Sequence, residues 1–208
     1  MTEPDVALTD YALMILCSFF SWRLWFQPGI SKLMGRIWVA FFISIAFASL
    51  TGGTSHGFFL DPTTLPSQIL WLATLLAIGV TASVAWVLVG VLLSGPEKVK
   101  VWSLFAGFVF VVYSVIVIFY SQRFVVVILS YLPPMIGLLA VTGYHYFQRR
   151  GRQDLWISAG VLVSFAAAFV QQAKIGLHPD YFNHNALYHV IQAFALWMIF
   201  MGAKAVKK

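Results

Sequence analysis

Residues 101–121 read VWSLFAGFVFVVYSVIVIFYS and carry no charged side chain. After Gln122-Arg123 a second apolar run extends from 123 to 146. A run near twenty residues long is what a helix needs to cross a ~30 Å hydrocarbon layer. Joined by so short a connection, the two runs must form an antiparallel hairpin of spans. Outward from this hairpin, further blocks occupy 67–94, 35–58 and 8–26 upstream, and 154–173 and 185–203 downstream. Between them lie Gln27-Pro28-Gly29, Asp61-Pro62, Gly95-Pro96-Glu97, Arg149-Arg150-Gly151-Arg152 and Gly176-Leu177-His178-Pro179-Asp180, ordinary turn punctuation. Pro133-Pro134 removes backbone donors inside the fifth block and should kink it. The expected fold is all-α: a single bundle of seven transmembrane helices over residues 1–208.

Composition agrees. The chain is 61% hydrophobic and 10% charged, whereas a soluble domain is about a quarter charged. Aromatic residues make up 17%, as expected where rings anchor both lipid–water interfaces. Cys17 is the single cysteine and forms no intrachain disulfide. The opening Met1-Thr2-Glu3-Pro4-Asp5 has no basic residue, unlike the positive start of a cleavable signal peptide, so the first helix is expected to be retained.

The net charge of +6 would suit nucleic acid, but the positions of the charges exclude that partner. The first, third and fifth loops and the C-terminal tail hold Arg23, Lys32, Arg36, Lys98, Lys100, Arg149, Arg150, Arg152, Lys204, Lys207 and Lys208. Only Arg123 and Lys174 fall on the other side. That bias places the C-terminus in the cytoplasm and, with seven spans, the N-terminus outside. A cell (inner) membrane location follows as the expectation.

Polar residues are costly in hydrocarbon, so their positions are informative. Block two ends Ser49-Leu50-Thr51-Gly52-Gly53-Thr54-Ser55-His56-Gly57, and on a helix Ser49, Gly52 or Gly53, and His56 share a face. Block six ends with Gln171-Gln172. Block seven begins Asn183-His184-Asn185-Ala186-Leu187-Tyr188-His189, where Asn185, His189 and Gln192 form a second stripe. Asp10 sits near the start of block one. All of these belong to the outer half of the membrane. Several have plain readings. Thr9-Asp10 suits a helix N-cap, and Gly52 and Gly53 suit close helix packing. Gln171, Gln172 and Gln192 suit interhelical hydrogen bonds worth roughly 1 kcal/mol each. His178 and Asp180 suit a solvated loop, and His145, between Tyr144 and Tyr146, suits an interface. His56 and His189 are harder to read as packing, because two intramembrane histidines with amides around them favour a metal or catalytic site.

The His at the end of helix two and the His-bearing start of helix seven resemble the CREST membrane hydrolase superfamily. Its members include the alkaline ceramidases and the progestin and adiponectin receptors. There a Ser-x3-His motif closes helix two, a His-x3-His motif opens helix seven, and the three histidines bind zinc. His184-Asn185-Ala186-Leu187-Tyr188-His189 is similar to the second motif. By this resemblance His56 and His189 are metal ligands, and the remaining ligand position falls on Asn185, with His184 one place away. The family's Ser falls on Gly52, beside Ser49, Thr51, Thr54 and Ser55; block three has no acid, and Asp61 lies just before it. The resemblance implies Zn2+ held by His56, His189 and His184 or Asn185, and a zinc-bound hydroxide attacking a lipid amide or ester. Asp61 or Asp10 would take the proton, and Ser49, Thr51 or Ser55 would donate to the oxyanion. On a regular helix His184 lies about 140° from His189, so both reach one metal only if the helix starts irregularly.

Other functions leave other marks. A non-catalytic lipid-binding protein, sensor or accessory subunit with a membrane-protein partner suits a chain with few extramembrane residues and many aromatics. Haem would need His56 and His189 as its axial pair. Retinal would need a mid-membrane lysine in block seven, which has none. A transporter is expected to show broken helices and mid-depth acids.

Overall fold

The computed structural model describes residues 1–178 and 181–205. Pro179, Asp180, Lys207 and Lys208, which entered the sequence reading, lie outside the described residues. Among the described residues seven α-helices make up the fold: α1 (Pro4–Trp25), α2 (Lys32–Phe58), α3 (Leu65–Ser94), α4 (Val99–Phe119), α5 (Phe124–Arg149), α6 (Arg152–Gln172) and α7 (His184–Ala205). All seven are long and apolar enough to cross a membrane. The described residues form an all-helical bundle compatible with an integral membrane protein.

Local chemistry sets the ends. Ser31 caps α2 by accepting from the Met34 amide at 3.2 Å. Pro4 and Pro66 occupy first turns, where a missing amide costs nothing. Gly95, at φ +93°, ends α3 in a backbone conformation that side chains resist. The Asn183 side chain accepts from the amides of Asn185 and Ala186, so α7 starts as a regular capped helix. Pro133-Pro134 does not divide α5, which runs through both prolines.

The helices pack as a closed ring in the order α1, α2, α3, α5, α6, α7 and back to α1. α4 stands outside it against α3. Trp71 near the start of α3 donates its indole N–H to the carbonyl of Gln122, just before α5, so α3 and α5 run side by side in the same direction.

Lipid tails are as apolar as leucine, so the ring is held by close packing rather than by exclusion of water. Glycines allow the closest approaches. A Cβ on Gly160 would lie 2.7 Å from the Ala195 carbonyl, and one on Gly202 2.7 Å from that of Gln153, so α6 and α7 meet backbone to backbone. At the end of the bundle holding Leu24 and Met34, aromatic rings fill the ring's interior. Phe20 stacks on Phe200 at 4.2 Å between centroids, and Trp38, Phe41 and Phe42 are fully buried around them. The other end is not filled.

Candidate functional site

A cavity of about 490 Å³ occupies the interior at the end where α1, α3, α5 and α7 begin and α2 and α6 finish. All six ring helices line it. Along α2 it runs from His56 to Ile45, and along α7 from His184 to Gln192, a depth of about 12–16 Å at 1.5 Å per residue. Polar groups gather towards its outer end, and Leu13, Ile45, Ile78, Leu132 and Phe165 make the inner part largely apolar.

Asp10 is part of this wall. It is not an N-cap, because α1 begins at Pro4 and carries Asp10 nearly two turns inside the helix. The residue is 6% exposed, and its Oδ1 lies 3.4 Å from Nε2 of His189, within ion-pair distance. The other imidazole nitrogen, Nδ1, lies 3.0 Å from the Thr9 hydroxyl. That hydroxyl is also within hydrogen-bond distance of the carbonyls of Asp5 and Val6, at 2.8 and 2.9 Å. Asp10 fits between helices because α2 has glycine opposite it. A Cβ on Gly53 would lie 2.8 Å from the Asp10 Cβ, and one on Gly52 3.4 Å from its carboxyl. The close-packing reading of this glycine pair therefore holds, and it makes room for a polar side chain.

His56 pairs with a residue that sequence reasoning missed. Its Nδ1 donates to the Glu3 carboxylate, while the Thr2 and Glu3 amides bond to the carbonyls of Gly57 and His56 at 3.0 and 3.2 Å. The N-terminal segment is thus strapped across the end of α2. His56 and Trp71 both line the main cavity and also a second, smaller one of about 270 Å³, so the two side chains stand between them.

The remaining expected residues divide. Ser49, His184 and Asn185 line the main cavity, and Gln171 donates to Asn185 at 3.4 Å. Ser55 is buried and faces the smaller cavity. Thr51 is used in packing: its hydroxyl bonds to Phe47 and Ala48 and accepts from Thr74 at 2.8 Å. Asp61 lies in the exposed loop after α2 and lines neither cavity. Its carboxylate accepts the Thr63 hydroxyl at 2.7 Å and amide at 2.9 Å, and these bonds hold its pKa below the usual carboxylate range.

A catalytic zinc takes three protein ligands. Among the described residues no three of His, Cys, Asp and Glu come close enough together to hold a metal ion. The regular start of α7 keeps His184 and His189 on different sides of the helix.

Three further side chains, Tyr131, Tyr188 and Asp154, drew no reading of their own from the sequence. Tyr131 and Tyr188 line the cavity and have no hydrogen-bond partner among the described residues. At the opposite end of the bundle Asp154, in the first turn of α6, is buried 3.9 Å from His145, so that histidine is paired rather than merely interfacial.

The chain belongs to a family of unknown function, DUF6962, whose model matches residues 6–208. No curated protein and no solved structure matches it. Apart from Thr2, Glu3 and Asp5, every residue of the site falls inside the family match.

Proposed function

We propose that this member of the family binds a single-chain amphiphile inside the membrane. The observation that carries the reading is the cavity itself, polar at its outer end and mainly apolar below. Its volume lies in the range of small-ligand sites. The chain sits in the cell membrane with its N-terminus and cavity mouth on the non-cytoplasmic side, a reading supported by the Lys and Arg bias of the loops. The ligand's chain lies against Leu13, Ile45, Ile78 and Phe165, and its head reaches Asp10, Asn185, Tyr188 and His189.

The test is lipid extraction and mass spectrometry of protein purified in mild detergent, beside a variant whose cavity is filled by Ala168→Trp. A lipid species retained at near one per chain by the native protein and lost from the folded variant is expected. Equal retention by both would remove the reading.

A second reading, hydrolysis of the bound amphiphile, is favoured by one observation. The Asp10–His189 pair and the Ser49 hydroxyl face the same cavity, so a base and a hydroxyl share a space with the ligand.

A further inference from the structure

We infer that the amphiphile's head is uncharged and hydroxyl-bearing, without phosphate, carboxylate or amine. The inference rests on the amphiphile reading and follows from the groups that the cavity offers. Phosphate and carboxylate recognition uses arginine, lysine or the free amides of a helix start. No arginine lines this cavity, and its one lysine, Lys174, is exposed. The start of α7 points into the site, but two of its first amides are taken. Asn185 and Ala186 donate to the Asn183 side chain at 2.8 and 3.1 Å, and Asn183 itself donates to Asp5 at 3.0 Å. An anionic head would also face the Asp10 carboxyl.

An amine head fares no better, because the one buried acid of the cavity already has His189 within ion-pair distance. Among the described residues that line the cavity, uncharged donors and uncharged acceptors both remain free. The Tyr131 and Tyr188 hydroxyls each offer a donor and an acceptor. Gln192 uses its amide nitrogen on Ser164 at 3.2 Å and keeps its carbonyl oxygen free. Asn185 uses its carbonyl oxygen on Gln171 and keeps its amide nitrogen free. Uncharged donors and acceptors side by side match a hydroxyl-bearing head, which needs both.

The test compares ligands that share one C18:1 chain, added to the protein in nanodiscs and read by thermal unfolding and by titration. They are monooleoylglycerol, oleyl alcohol, oleic acid, oleoyl lysophosphatidic acid and oleylamine, with glycerol alone as the chainless control. The glycerol ester and the alcohol are expected to raise the melting temperature by several degrees, and the other three and glycerol to leave it unchanged. Tyr131→Phe and Tyr188→Phe, which keep the ring, are expected to weaken monooleoylglycerol binding by about tenfold each, one hydrogen bond's worth. An equal or larger shift from the phosphate, carboxylate or amine ligand overturns the head-group inference and leaves the amphiphile reading standing. No shift from any chain-bearing ligand, or an equal shift from glycerol, overturns both. Unchanged binding in both folded Tyr→Phe variants also overturns the inference.

Discussion

The carboxyl of Asp10 and the imidazole of His189 lie 3.4 Å apart, although most of the chain separates them in sequence. The pair closes the helix ring by tying its first member to its last, and it does so inside the cavity wall. Asp10→Ala leaves Nε2 of His189 without a protein partner, and a loss of about 1–3 kcal/mol is expected. A double-mutant cycle with His189→Ala, followed by thermal unfolding in nanodiscs, should show coupling of about 1 kcal/mol. Strict additivity would mean that the two groups do not interact.

Gly53 and Gly107 offer a matched comparison on two helices. A methyl on Gly53 meets Asp10 at 2.8 Å and the Ala7 carbonyl at 3.2 Å, whereas one on Gly107 meets nothing within 4 Å. Gly53→Ala should destabilise by about 1–3 kcal/mol through forced separation of α1 and α2. Gly107→Ala should be neutral or slightly stabilising. Equal melting temperatures for the two variants would contradict the packing described.

The strap at the N-terminus should set how fast ligand enters. Glu3→Ala releases the His56 side chain, which stands between the two cavities, but keeps the backbone bonds to Gly57 and His56. Stopped-flow uptake of a fluorescent fatty alcohol should speed up, with the equilibrium affinity changed by less than about twofold. A large loss of affinity at an unchanged rate would place Glu3 in the binding site instead.

Metal analysis separates the resemblance to zinc hydrolases from the arrangement seen. Purified protein is expected to hold well under one zinc per chain, with His56→Ala and His189→Ala making no difference. Stoichiometric zinc lost in both variants would require the histidines to converge in a second conformation.

Asp61 should prove dispensable. Its carboxylate is fully exposed, and Thr63 holds its pKa below the ordinary value. A group lowered in this way contributes its share of stability at neutral pH and loses it only as acid protonates the folded state. Asp61→Asn should therefore leave ligand binding unchanged, and any small drop in melting temperature should be present at neutral pH and disappear as the pH falls below the normal carboxylate range.

Much of the fold was legible because hydrocarbon imposes one rule on every span. Block 101–121 became α4 at Val99–Phe119, and block 35–58 became α2 at Lys32–Phe58. The cluster at one end was legible for the same reason: His56, Asn185, His189 and Gln192 are polar where polarity is costly. What stayed hidden was pairing. The partner of His189 lies on α1, and that of His56 lies in the strap before it, neither at a helical spacing. Asp10 read as a cap because Pro4 and Asp5 looked like a tail, when proline in the first turn in fact starts the helix early. Tyr131 and Tyr188 drew no reading of their own, since nothing in sequence spacing tells a ring facing lipid from one facing a void.

α4 is needed for direction more than for contact. Two parallel neighbours such as α3 and α5 cannot follow each other directly through a bilayer; the chain must first travel back. The fourth span is that return stroke, and the walls of the cavity owe it their common polarity. A chain shortened by that one helix would thread its last three spans upside down, leaving Asn185 and His189 on the opposite side of the membrane from Asp10 and His56.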